Sequence, residues 1–297
     1  MRCYHPIKGF RTTSGVVFSQ LSRDDHVGDI EVPCGQCIGC REKRAADWTL
    51  RCLHEAWCWP ANCFVTLTYG RDKMPPDGSL CHNDYRQFMK RVRRWRKLDV
   101  RYYMCGEYGP LNFRPHYHAA LFNVDFRSDR VVAGRSESGA VFYSSPTLSR
   151  LWPHGIATVQ DLTRESAGYV ARYIMEKRLG ILTEADMAAY VTADGVIRQR
   201  EYAAMSLKPG IGFYWYKLNG WTDMHRNDFG IYGGSRFAPP KYYDKLMRRN
   251  GDVRMDAIEF ARDQRARLSV ADNTDERRAV REIVHRAKIQ SLKRGDV

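Results

Sequence analysis

Residues 114–118 read Arg-Pro-His-Tyr-His and continue into Ala119-Ala120-Leu121-Phe122. The run predicts a strand, and alternate side chains of a strand share a face, so His116 and His118 point the same way, about 7 Å apart. Two imidazoles so placed can hold one metal ion, and the chain has only nine histidines in all. Glu107 precedes His116 by nine residues, across a turn containing Gly109-Pro110. On an antiparallel hairpin it joins the histidine face if residue 105 or residue 107 lies opposite 116, a register the sequence leaves open. Two histidines and a carboxylate leave positions free on a catalytic ion, which could polarise a phosphate oxygen. The plainer alternative is two half-exposed histidines on a sheet.

A second set lies on a predicted helix, where Tyr169, Tyr173 and Lys177 form one i, i+4, i+8 row. The two phenols are one turn apart, about 6 Å along the axis. Either could be a nucleophile if a neighbouring cation favours the phenolate, since a free phenol ionises only near 10. Taken alone, such a tyrosine pair more often packs on a sheet. A third set is Cys34, Cys37 and Cys40, spaced for Zn²⁺ or part of an iron–sulfur cluster, with Cys3, Cys52 and His54 as candidates for a fourth ligand. Reduced thiols at a helix start and redox chemistry are the alternatives. A fourth is the helical stretch 83–98, where Arg86, Lys90, Arg91, Arg93, Arg94, Arg96 and Lys97 face one acid, Asp84. That imbalance favours phosphate contact, hence DNA binding, over a merely solvated face.

The elements that must position these residues are legible from periodicity. A helix is expected over about 41–57, a strand over Cys63–Tyr69, the basic helix over 83–98, and a hairpin over about 100–106 and 115–123. A strand over 155–162 and a helix from the cap Thr163 to about Lys177 follow. Residues 127–145 look irregular, and 205–240 look like loops and short strands in which Tyr214, Trp215 and Tyr216 could stack on bases or pack in a core. The order predicts an α+β fold, a central antiparallel sheet with flanking helices. We expect an N-terminal segment with the cysteines and a basic helix (1–58), a catalytic domain (59–240) and a charged helical tail (241–297). A net charge of +14 favours a polyanionic partner, nucleic acid before anionic membrane. With no apolar run of 18 residues and no signal-like start, we expect no membrane association and a reducing cytoplasm with mostly free thiols.

Taken in order, Phe64-Val65-Thr66-Leu67-Thr68-Tyr69, Cys105-Gly106-Glu107-Tyr108-Gly109, Arg114-Pro115-His116-Tyr117-His118 and Tyr169-x-x-x-Tyr173-x-x-x-Lys177 resemble the three motifs of HUH endonucleases. The nearest resemblance is to the rolling-circle replication initiators of the Microviridae, in the gokushovirus branch. These also carry a segment like Cys34–Arg41 and a stretch like Gly210-Ile211-Gly212. The resemblance covers most of 30–240 and implies a metal-dependent, site-specific single-strand DNA endonuclease and strand transferase. It would nick an origin through a 5′-phosphotyrosine link and leave a 3′-OH that primes replication. His116, His118 and Glu107 would bind Mg²⁺ or Mn²⁺, Tyr169 and Tyr173 would be the two nucleophiles, and Lys177 would stabilise phenolate or phosphate. Which tyrosine acts first stays open, although the Lys177 spacing favours Tyr173. Single-stranded DNA would be the substrate, in the cytoplasm of a bacterial host. No GxxxxGK[ST] phosphate loop is present, so a host helicase and DNA polymerase are the expected partners. The alternative is a non-enzymatic nucleic-acid-binding protein whose cysteines hold zinc.

Overall fold

The computed structural model describes residues 3–18, 26–109, 113–136, 139–178, 187–188 and 190–291; for 172–178 and 291 it describes the backbone alone. The chain divides into two compact units. One takes its described residues from 1–44 and 253–293, the other from 45–252.

The first unit holds a three-stranded antiparallel sheet, β1 (Ile7–Thr12), β2 (Gly15–Val17) and β3 (His26–Val32), in the order β2-β1-β3. The opening residues of helix α1 (Ile38–Trp57) and two late helices, α7 (Arg254–Leu268) and α8 (Asp275–Ser291), complete it.

The second unit is built on a seven-stranded antiparallel sheet, as expected for the α+β class. Its strands are β4 (Asn62–Tyr69), β5 (Arg101–Tyr108), β6 (Pro115–Phe122), β7 (Val131–Arg135), β8 (Val141–Ser144), β9 (Gly155–Asp161) and β10 (Tyr202–Met205), in the order β10-β5-β6-β4-β9-β8-β7. Both faces are covered, which is why the central strands are apolar almost throughout. One face carries Cys63, Val65, Leu67, Tyr69, Tyr117, Ala119 and Leu121 against Tyr85, Phe88, Met89 and Val92 of α2 (His82–Arg96). The other carries Phe64, Tyr103, Cys105, Ala120 and Phe122 against Ala45 and Cys52 of α1 and Ala167, Val170 and Ala171 of α4 (Arg164–Arg178).

Two stretches depart from expectation. Residues 131–144 form the β7–β8 hairpin rather than an irregular connection. Val131 and Val132 are exposed there, so the strand lacks the buried alternation that would mark it. Within 205–240, residues Phe213–Gly220 form a helix, α5, continued by a π turn at Trp221–His225, before the short strands β11 (Gly230–Tyr232) and β12 (Ser235–Phe237). Helix α6 (Lys241–Arg249) closes this unit's sequence. The Gly210-Ile211-Gly212 stretch is structural. Glu55, fully buried, accepts hydrogen bonds from Arg101 Nε (2.6 Å), Trp59 Nε1 (3.0 Å) and the Gly212 amide (2.6 Å). Gly212 sits at φ +83°, and a Cβ there would stand 2.5 Å from the Tyr243 hydroxyl.

Candidate active site

The hairpin register brings the three expected ligands together. Glu107 lies opposite His116, and Cys105 opposite His118, so Glu107 shares the face of both histidines. On the other side of β6, β4 sets Thr66 opposite His118 and Thr68 opposite His116. Glu107 Oε1 stands 2.6 Å from His116 Nε2 and 3.0 Å from His118 Nε2. One ligand atom from each of the three residues falls within 4.8 Å of the others.

The far side of each ring is fixed as metal-binding imidazoles usually are. His118 Nδ1 pairs with the Thr66 hydroxyl at 2.9 Å, and His116 Nδ1 with the Arg114 carbonyl at 3.0 Å. A carbonyl only accepts, so in a neutral His116 ring Nδ1 carries the proton and Nε2 presents its lone pair. That lone pair faces a carboxylate oxygen, an arrangement that asks for a cation between them. Glu107 Oε2 is buried with no hydrogen-bond partner, and such orphaned oxygens are rare. Burial works against the Glu107 carboxylate, but His118, with the hydrogen bonds from both imidazoles, outweighs it and holds the carboxyl down at about 2. Burial also keeps the His118 ring below its ordinary range, against the pull of Glu107. A deprotonated carboxylate and neutral imidazole are the forms that ligate a metal. The donor set of one oxygen and two nitrogens, with further positions free, suits a divalent ion such as Mg²⁺ or Mn²⁺.

The tyrosine helix reaches this centre. Its start is fixed by a reciprocal cap: the Ser166 amide donates to Thr163 Oγ1 (3.2 Å) and the Thr163 amide to Ser166 Oγ (2.9 Å). The small buried residues Ala167 and Ala171 let α4 lie close on the sheet. Tyr169 then stacks edge-on to His118, ring centroids 5.0 Å apart, with its hydroxyl 3.4 Å from Glu107 Oε1. Tyr173 and Lys177 lie on the same helix, but their side chains are outside the described residues.

The basic helix is not part of this surface. Alternation along β4, β5 and β6 puts α2 on the face opposite His116, His118 and Glu107. Two of its cations serve the fold: Arg91 Nε donates to the Leu151 carbonyl (2.7 Å) and Arg93 Nε to the Val100 carbonyl (3.1 Å). Arg86, Lys90, Arg94 and Lys97 are exposed. Of the three aromatics considered for stacking, Trp215 is buried and Tyr216 packs beside it; Tyr214 stays exposed. Cys34, Cys37 and Cys40 converge, and the fourth thiol with them is Cys3. Cys52 and His54 are excluded, being buried in the second unit, Cys52 in the sheet core and His54 between Trp215 and Tyr243. Sequence reasoning passed over Thr66; its signal was a pair of threonines at period two in an otherwise apolar strand.

Among the described residues no helix is long and apolar enough to cross a membrane. Residues 62–178, spanning β4 to α4 and so every element of the site, match the family model of the replication-associated protein ORF2. The chain is 30% identical over 263 residues to replication-associated protein VP4 of Bdellovibrio phage phiMH2K, covering 84% of this chain and 78% of that one. It is 29% identical over 280 residues to replication-associated protein ORF2 of Spiroplasma virus 4, covering 84% and 81%. Replication-associated protein ORF4 of Chlamydia phage 1 is 27% identical over 225 residues, covering 73% and 54%. No solved structure matches the chain. Identity at this level, sustained over most of both chains, means that the protein belongs to the replication-associated proteins of the Microviridae.

Proposed function

We propose that this replication protein is the initiator that nicks and rejoins a single DNA strand at the phage origin by tyrosine transesterification. The single observation that carries the reading is the convergence of Glu107, His116, His118 and the Tyr169 hydroxyl on one face of the sheet. A divalent ion held by the three ligands would neutralise charge on the scissile phosphate and favour an ionised phenol.

The protein's own residues supply the rest. The Tyr169 oxygen attacks phosphorus, the phosphorus–O3′ bond breaks, and the departing 3′ oxygen takes up a proton as the phenol gives one up. The phosphodiester is exchanged for a phosphotyrosine, so its bond energy is kept for rejoining. Tyr173, one turn on, receives the strand in the second transfer, and Lys177 neutralises charge beside it. Thr66 and the Arg114 carbonyl hold the imidazoles in the ligating orientation. Arg86, Lys90, Arg94 and Lys97 bind flanking DNA on the other face of the sheet, away from the reacting phosphate. The freed 3′-OH is extended by a host polymerase, with unwinding by a host helicase, since the chain has no phosphate loop of its own.

The test is a denaturing gel of the full chain incubated with labelled origin single strands and Mn²⁺. We expect a covalent protein–DNA band that His118→Ala abolishes, a fall of about a thousandfold or more, as several kcal/mol of transition-state stabilisation implies. Tight DNA binding with no adduct under Mg²⁺, Mn²⁺ or Zn²⁺ would instead mark a binding protein.

A further inference from the structure

The nicking chemistry makes no use of the cysteine cluster in the first unit. There the Sγ atoms of Cys3, Cys34, Cys37 and Cys40 all lie within 4.8 Å of one another. Cys3 Sγ is 3.7 Å from Cys34 Sγ and 4.0 Å from Cys37 Sγ. These separations are far too long for a disulfide. They match four thiolates around one tetrahedral ion, which at 2.3 Å per bond stand about 3.8 Å apart. A cube of four irons spreads its cysteine sulfurs wider than a single ion does.

The backbone is arranged for thiolate sulfur. The amides of Gln36 and Cys37 donate to Cys34 Sγ at 3.4 and 3.3 Å, that of Cys34 to Cys3 Sγ at 3.3 Å, and that of Tyr4 to Cys37 Sγ at 3.4 Å. Gly35, at φ +76°, makes the turn that aims the first two. Amides converging on sulfur are the outer shell that orients and stabilises metal thiolates. Four sulfurs fill a tetrahedron, leaving no position for substrate, so the site is structural rather than catalytic.

The residues beside the cysteines grip the last helix. Next to Cys3, Tyr4 Oη pairs with His285 Nδ1 at 2.8 Å and His5 Nε2 with Glu282 Oε2 at 2.6 Å. Two residues after Cys40, Glu42 Oε2 pairs with His285 Nε2 at 2.7 Å. Glu31 on β3 pairs with Arg278. Cys3 and Cys40 thus anchor the two sides of a clasp around α8. We propose that Cys3, Cys34, Cys37 and Cys40 bind one Zn²⁺ as a closed structural centre, and that this centre fixes α8 against the N-terminal segment through Tyr4, His5 and Glu42.

The test is metal analysis of the full chain, expressed with zinc and dialysed against a mild chelator. One zinc per chain is expected, retained in His118→Ala and lost in Cys3→Ser and Cys37→Ser. Because those cysteine variants can fail to fold, the wild-type chain is also titrated with an organomercurial, which should release the zinc as four thiols react. Hydrogen exchange across 275–291 should then rise at least tenfold. Less than 0.2 zinc per chain, bound iron with visible absorption, or zinc retained in Cys3→Ser would overturn the centre. Unchanged exchange in α8 after zinc release would overturn the clasp. Retention in His118→Ala keeps this result separate from the fate of the nicking reading.

Discussion

The two ligand clusters of this chain solve opposite problems with the same device. In the second unit, one oxygen and two nitrogens from neighbouring strands gather on a sheet face, with Tyr169 beside them and His116 only half-buried. In the first unit, four sulfurs from two segments about thirty residues apart close on themselves, with backbone amides at their backs. The first set is hard, incomplete and held by side-chain partners; the second is soft and complete. The difference separates chemistry from architecture: an ion with open positions can meet a phosphate, and an ion without them can only hold chain.

The sharpest way to break that contrast is to strip the metals one at a time. EDTA should abolish adduct formation, by about a thousandfold, and Mn²⁺ should restore it while the zinc content stays constant. If EDTA removed zinc and activity together, with Mn²⁺ failing to rescue, the division of labour would be wrong. Next in size is Thr66→Val, which keeps the shape but removes the hydroxyl from His118 Nδ1. It should weaken Mn²⁺ activation about 10- to 100-fold, read as the Mn²⁺ concentration for half-maximal adduct, with zinc content unchanged.

Much of the catalytic cluster was legible because strand alternation fixes which side chains share a face. His116 and His118 needed nothing more. Glu107 needed a register, and a period of two says nothing about offset; the observed pairing of 107 with 116 was one of two that would serve. Cys3 was harder, since thirty residues separate it from Cys34 and several thiols compete. Helix geometry could have removed one rival: Cys52 lies twelve residues beyond Cys40 on α1, about 18 Å along the axis. The charge on α2 was plain, but not its side of the sheet. That depends on which strand face Tyr85, Phe88 and Val92 cover, and both faces are apolar.

That geometry yields a smaller prediction. Changing Arg86, Lys90 and Arg94 together to Ala should flatten the salt dependence of DNA affinity, lowering the log–log slope by about 2 to 3. The rate of adduct formation at saturating DNA should stay within about twofold, because these residues lie across the sheet from the site. A slope that did not change would remove α2 from the DNA surface.

The least effect belongs to the scaffold and must be subtracted from any pH comparison of the two clusters. Burial holds the His54 imidazole down at about 3, against an ordinary 6.5. Above 6.5 the ring is neutral in both folded and unfolded chains and its contribution is constant. Between 6.5 and 3 the unfolded chain takes a proton that the folded chain refuses, so stability falls with pH by up to about 1.4 kcal/mol per unit. His54→Gln should flatten the fall in Tm between pH 7 and 5.

The central claim is that a tyrosine beside the Glu107–His116–His118 centre takes the DNA 5′ end. Trypsin separates the two tyrosines, since Arg172 lies between them: Tyr169 falls in the peptide 165–172 and Tyr173 in 173–177. Mass spectrometry of tryptic peptides from the Mn²⁺-dependent adduct tests the claim most directly. The account predicts a nucleotide-bearing 165–172 peptide for first-strand cleavage. A DNA-linked peptide lying outside 165–177, or no linked peptide at all, would contradict it.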